Sequence, residues 1–254
     1  MSMFATGETD KIASLSPAKF DSLTKVLSLF DKSAESIKIV NSQIVQPIGK
    51  SVVSCDCTEL FENDDTITIE ITNPKKYVKL LKNFRNNDNI DIIDDTENHR
   101  YVITNNEIKL FMPKKAEVQS NDDLMPDLES AEMSFEIEID KETAKQLMSL
   151  SSEVQYIEYL IQDNKLKGFH VPDTAIFLLN DYIKDERAKE LNETNADLIL
   201  RTGSFLSIPA EDYVVQIGKK DDESYFSFTY CNTGVTQVRV FENLEIATGG
   251  GLLI

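Results

Sequence analysis

The chain has 254 residues, with 44 acidic side chains against 26 basic ones and a formal net charge of −18. That length admits one large domain or two of about 100–150 residues, and a hydrophobic share of 41% is enough to build real cores. So acidic a total excludes a protein that coats nucleic acid over its whole surface, but not one that gathers its positive charge in one place. No apolar run approaches the roughly 20 residues needed to cross a bilayer. The opening MSMFATGETD carries acids early and has no apolar stretch, so a soluble, intracellular, cytoplasmic protein is expected. Cys55 and Cys57 are two apart and Cys231 stands by itself. On a strand the first two share one face, a spacing that suits neither an ordinary disulfide nor a zinc site, and all three read as small packed residues.

The elements follow in chain order. A short edge strand is expected near Lys11–Leu15. Ser16-Pro17 then opens a helix to about Lys32, with Phe20, Leu23, Val26, Leu27 and Phe30 on one side and Lys25 and Lys32 away from it. Strands are expected at Ser36–Val40, Gln43–Gln46, Ser51–Thr58 and Thr66–Thr72, with a turn at Pro47-Ile48-Gly49. Asn73–Arg85, NPKKYVKLLKNFR, reads as an amphipathic helix. Asn73 caps it and Pro74 suits its first position. Tyr77, Leu80, Leu81 and Phe84 make the apolar face, Lys75, Lys79 and Lys82 lie opposite, and Lys76 and Arg85 flank it. It holds five basic residues and no acid, in a chain where acids dominate. Taken alone, that face is either a solvated lysine surface or a surface for a polyanion such as DNA.

Three more strands, Ile90–Ile93, Arg100–Thr104 and Glu107–Met112, are separated by DDTEN and NN as turns. Lys114–Met133 is polar and acidic and reads as a linker with Leu124, Met125 and Leu128 as apolar anchors. The order then begins again. A strand at Ser134–Ile139 leads through the cap Asp140 into a helix from Lys141 to about Ser151, with Leu147 and Leu150 inward and Lys141 and Lys145 one turn apart. Strands at Tyr156–Gln162, Leu166–Val171, Thr174–Leu179 and Ala196–Arg201 follow, with an unassigned hydrophilic insert at Asp181–Asn195. After a short helix or turn at Gly203–Tyr213 come Val214–Gly218, Tyr225–Cys231 and Gln237–Phe241. The order of elements is duplicated although the letters are not, which suggests two domains of shared architecture.

Catalysis needs positioned groups, and the sequence offers none. It has no phosphate loop, no dinucleotide fingerprint, no H-E-x-x-H and no nucleophile elbow. His99 and His170 read as ordinary surface or packed residues, and Gly249–Gly251 as a flexible tail. Asp94-Asp95 and Asp122-Asp123 lack calcium-loop spacing. No enzyme, cofactor or metal is expected.

With this duplicated order in place, the sequence resembles the DNA sliding clamps, the processivity factors of replicative polymerases. It is most similar to the two-domain clamps of tailed phages and of the proliferating cell nuclear antigen type. The residues that carry the likeness are SFEIEI leading into Asp140–Leu150, LKGFHVPD at Leu166–Asp173, FLSIPAEDYVVQIGKKDDESYFSF from Phe205, NPKKYVKLLKNF, and NNEIKLFMP as a closing edge strand. It covers nearly the whole chain, and departs from the pattern at Gly203–Asp212, which contains Pro209 and almost no basic charge. The resemblance implies an α+β fold with antiparallel sheets outside and helices lining a ring. It implies clamp domains at 1–113 and 134–254, a connector at 114–133, and a homotrimer. DNA contact then falls to Lys25, Lys32, Lys75, Lys76, Lys79, Lys82, Arg85, Lys141 and Lys145. Subunits join through Ile108, Leu110 and Phe111 against the neighbour's Ile176, Phe177 and Leu178, and a proline at Leu110 would remove a ladder donor. Partner peptides, from polymerase above all, enter a pocket walled by Leu124, Met125, Leu128, Val45, Pro47, Pro209 and Ile246, with the C-terminal Leu252-Leu253-Ile254 as an occupant or a free tail. The implied partners are duplex DNA of any sequence, DNA polymerase, a clamp loader and further copies of the chain, with no membrane. A phage source would place the protein in the host cytoplasm. Two other readings stay open on sequence alone: a structural β-rich viral assembly protein, and a clamp-fold recruitment module that does not encircle DNA.

Overall fold

Period-two alternation dominates the sequence, and strands dominate the computed structural model. It describes residues 9–30, 34–62, 64, 66–84, 88–105, 107–115, 118, 121, 124–125, 132–150, 156–162, 165–171, 175–178, 198–203, 211–219, 224–232 and 236–246. The chain divides into two compact units. One holds Met1–Ile48, Ser54–Leu124 and Thr233–Val238; the other holds Gly49–Val53, Met125–Asn232 and Arg239–Ile254.

The first half runs β1 (Thr9–Leu15), α1 (Pro17–Phe30), β2 (Ser36–Ile39), β3 (Gln43–Ile48), β4 (Ser51–Asp56), β5 (Ile69–Thr72), α2 (Pro74–Leu81), β6 (Ile90–Asp95), β7 (Arg100–Thr104) and β8 (Lys109–Pro113). Its sheet has the order β1-β6-β7-β8, all antiparallel, while β2 pairs with β5 and β3 with β4. α1 buries Phe20, Leu23, Val26, Leu27 and Phe30, the side its periodicity selects.

The second half runs β9 (Glu132–Ile139), α3 (Lys141–Leu150), β10 (Ile157–Gln162), β11 (Lys165–Val171), β12 (Ala175–Leu178), β13 (Leu198–Thr202), β14 (Tyr213–Lys219), β15 (Tyr225–Asn232) and β16 (Gln237–Ile246). Here β9 lies beside β14, then β15, then β16, and a second run reads β12-β11-β10-β13. The duplication is therefore one of pairing as well as order. In each half the first strand joins the last three, and the second strand pairs with the fifth. The fold is mixed, mostly antiparallel strand with few helices, as the sequence led us to expect.

Several boundaries differ from the periodicity. α2 stops at Leu81, not Arg85. Its end tightens into i→i+3 bonds, Asn83 N–H to the Leu80 carbonyl and Phe84 N–H to that of Leu81, while the Asn83 side chain reaches the Lys79 carbonyl. Phe84 still turns inward and is buried. Val78, not Leu80, joins Tyr77 and Leu81 on the buried face, and Leu80 is half-buried. β3 runs on through Pro47 and Ile48; the turn falls on Gly49-Lys50, where Gly49 has φ +60°, a left-handed value that costs glycine little. β5 begins at Ile69 rather than Thr66, where the Asp64 side chain instead accepts from the Thr66 N–H and hydroxyl. Asp94 and Asp95 belong to β6, and the turn after them is a 3₁₀ segment, Thr96–Asn98, capped by Asp95. The expected features at Asp181–Asn195, at residues 204–210 and in the tail beyond Ile246 lie outside the described residues.

Two buried carboxylates, Glu70 and Asp95, are matched by basic side chains. Glu70 accepts a hydrogen bond from Lys115 at 2.7 Å. Burial alone would push its carboxyl up, but Lys115, Ser36 and Lys38 outweigh that and hold it below its ordinary value. Asp95 is held low by Asn98 and Arg100. Cys55, Cys57 and Cys231 are buried free thiols, and burial pushes Cys57 and Cys231 up to about 12, so neither is a nucleophile at neutral pH.

Candidate nucleic-acid interface

α2 carries the clearest charge pattern among the described residues. The Asn73 side chain accepts from the Lys76 N–H, and Pro74 occupies the first turn. Pro74, Tyr77, Val78 and Leu81 are buried, which fixes the helix's rotation. Lys75, Lys79 and Lys82, spaced by four and three, then form one exposed stripe, with Lys82 as the C-terminal cap. Lys76 is exposed too, its ammonium 4.8 Å from the centre of the Tyr77 ring. Lysines in the last turn also complement the helix dipole. α1 packs beside α2 through Phe20 and Phe84, whose ring centres are 5.8 Å apart. Lys25 on α1 is exposed and pairs with Asp21 one turn earlier at 2.8 Å.

On α3, Asp140 caps the helix by accepting the Thr143 N–H at 2.7 Å. Ala144 and Leu147 face inward, while Leu150's side chain lies outside the described residues. Lys141 pairs with Glu211 at 2.5 Å, and Lys145 with Glu142 at 2.6 Å. The bond to Glu211 raises Lys141's pKa. The Lys141 partner was invisible to sequence reading, because Glu211 lies 70 residues away. Lys32 and Arg85 lie outside the described residues.

The expected subunit edge falls on sheet edges. β8 ends the order β1-β6-β7-β8, and β12 ends its run beside β11. Ile108 and Phe111 are exposed and Leu110 is half-buried. Ile176, Phe177 and Leu178 are on β12, opposite His170, Phe169 and Gly168; their side chains lie outside the described residues. One contact there was missed: the Arg100 guanidinium sits 4.2 Å from the centre of the Phe111 ring, and Asp95 holds it at 2.7 Å. The hairpin register Val102↔Phe111 puts Arg100 diagonal to Phe111, so that register was the available signal.

Of the expected peptide pocket, Val45 is buried on β3 and Pro47 is exposed. The connector does reach β3: the Asn121 amide donates to the Val45 carbonyl at 3.0 Å. Leu124 is exposed and Met125 half-buried. Ile246 is exposed at the end of β16. Leu128 and Pro209 lie outside the described residues, so the structure does not assemble the pocket as a whole.

His99 caps the 3₁₀ turn at φ 50°, and His170 pairs with Glu158 at 2.7 Å. No group of three metal-binding side chains occurs among the described residues. No helix among them is long and apolar enough to cross a membrane.

No family model matches the sequence, and no curated protein resembles it at sequence level. Solved structures do resemble it in three dimensions. A chain of the PCNA2–PCNA3 complex from Sulfolobus tokodaii superposes with TM-score 0.59 at 11% identity, covering 92% of this chain and 98% of that one. PCNA of A. fulgidus, solved with the C-terminal region of FEN-1 bound, superposes with TM-score 0.58 at 12% identity, covering 94% and 100%. Identity this low carries the architecture alone. The architecture is nonetheless shared over 92–94% of this chain, and the chain has the fold of the DNA sliding clamps.

Proposed function

We propose that the protein works as its fold suggests: copies close into a ring, the ring encircles duplex DNA without regard to sequence, and it tethers a polymerase and other replication enzymes. It is a scaffold and not an enzyme. The observation that carries this reading is the α2 stripe, an acid-free row of exposed lysines in a chain of net charge −18. Loose, sequence-independent contact with phosphates requires such a surface and no reading of base edges. The fold comparison favours this over a virion assembly role.

The duplication supports ring closure. β4, whose first three residues belong to the second unit, pairs with β16. In the repeated order β8 stands where β16 stands, and β12 where β4 stands. The open edges of β8 and β12 therefore offer the same pairing between copies, which also covers edges that otherwise invite aggregation. A homotrimer should sediment at three times 28.7 kDa; a mass of 28.7 kDa at every concentration tested would contradict the reading.

A partner peptide docks, on this proposal, at the connector, with Leu124, Met125 and Leu128 as anchors and Val45, Pro47, Pro209 and Ile246 as the further candidate walls. The polymerase and the clamp loader are its users, in the cytoplasm, or in that of the host for a phage protein. Leu124→Ala/Leu128→Ala should weaken binding of a polymerase C-terminal peptide at least about tenfold, roughly the loss of one buried leucine contact. Unchanged affinity by titration calorimetry would remove the connector from the site.

A further inference from the structure

The lysines proposed to meet DNA differ in what already surrounds them. Lys75, Lys79 and Lys82 form no ion pair among the described residues, and no acid lies between Pro74 and Phe84. Lys25 pairs with Asp21 on its own helix. Lys145 pairs with Glu142, and Lys141 with Glu211. Around the start of α3 the carboxylates outnumber the lysines. Asp140 accepts the Thr143 N–H, and Asp212 accepts the Lys141 N–H at 2.8 Å, so that helix end already carries two of the chain's own anions. With Glu142 and Glu211, four acids meet two lysines there.

The exposed pairs are individually weak, and a phosphate can compete for either lysine. What it cannot avoid is the field of the remaining carboxylates: Glu211, Asp212 and Glu142 all act on the Lys141 ammonium, and charges so near are only partly screened at physiological salt. At α2 the same phosphate meets four ammonium groups, and the cap there is the neutral Asn73.

We propose that this chain grips DNA phosphate chiefly through one helix, α2, and that Lys141 and Lys145 on α3, and to a lesser degree Lys25 on α1, are neutralised by their own neighbours and add little. This rests on the DNA-encircling reading above. The contact then recurs once per chain around the ring, and the α3 surface stays close to neutral or repulsive, which keeps the duplex from being held on all sides.

The test is equilibrium binding of a short fluorescent duplex to the assembled protein between about 50 and 200 mM salt. Lys75→Gln/Lys79→Gln/Lys82→Gln is compared with Lys141→Gln/Lys145→Gln, with the mass of each variant checked first. Each phosphate contact contributes about 0.9 to the slope of log affinity against log salt. The α2 variant should lose about 3 from that slope for every α2 engaged, and at least about tenfold in affinity at the lowest salt. The α3 variant should lose less than about 1. Equal losses in the two variants, or a larger loss from α3, would overturn this inference and leave the DNA reading standing. No binding by the unmodified protein at any salt would overturn the DNA reading itself.

Discussion

Phe111→Pro should turn the assembled protein into monomers without unfolding it. The Asn105 N–H donates to the Ile108 carbonyl at 3.1 Å, so that pair closes the β7–β8 hairpin. In an antiparallel ladder hydrogen-bonded pairs alternate with open ones. Ile103↔Leu110 is then a bonded pair, and the backbone of Phe111, opposite Val102, faces the open edge. Proline at Phe111 removes a donor that only a neighbouring copy would use, a placement sheets tolerate at their edges. It also deletes an exposed ring that Arg100 stacks upon. The combined cost to each interface is about 3 kcal/mol or more, a dissociation constant raised at least about a hundredfold. Leu110, the position that sequence alone suggested for proline, is the poorer choice, because its donor points back to β7. Sedimentation should show monomers for Phe111→Pro, with an unchanged circular dichroism spectrum. A variant that keeps the mass of the unmodified protein would place the interface elsewhere.

Glu158→Ala should destabilise the second unit markedly through a polar row that it centres. Glu158 lies on β10 opposite His170 of β11 and Arg201 of β13, and Arg201 lies opposite Glu245 of β16. The four make a polar row across four strands, continued by Lys50, which pairs with Glu245. At the centre the Glu158 side chain is 7% exposed and accepts from His170 Nδ1 at 2.7 Å and Arg201 Nε at 3.0 Å. Arg201 is further fixed over the Tyr156 ring, 4.6 Å from its centre. Breaking a buried ionic network by removing one partner costs about 3–5 kcal/mol. Arg201 is 36% exposed and regains some hydration, so about 2–3 kcal/mol is expected here. Urea unfolding should show that loss in the transition of the second unit. A loss below about 0.5 kcal/mol would mean the row is held by packing alone.

Much of this architecture was legible because it is local. Alternation in IEI and SFEIEI placed strands, and helical spacing in PKKYVKLL placed α2 and its lysines. The duplicated order of elements pointed to the fold before any coordinates. What was hidden depends on residues far apart in the chain. Val78 replaces Leu80 in the core because the packing of α2 against its own unit sets the helix's rotation, and period alone leaves the two nearly equivalent. Lys141 is matched to Glu211, Lys115 to Glu70 and His170 to Glu158, none of which any short window contains. The same distance effect explains the basic surface. Counting lysines ranked α3 with α2, whereas two of the four carboxylates around α3, Glu211 and Asp212, come from another part of the sequence.

Encirclement is a topological link, and circular DNA decides it. Protein placed on a nicked plasmid by its clamp loader should stay with that DNA through a high-salt wash that strips ordinary electrostatic binders. A single cut that linearises the plasmid should release it, since only an end lets a closed ring leave. Retention before the cut and loss after it is the predicted result. Protein that washes away from the intact circle, or that stays equally well on the linear product, would contradict a ring around DNA.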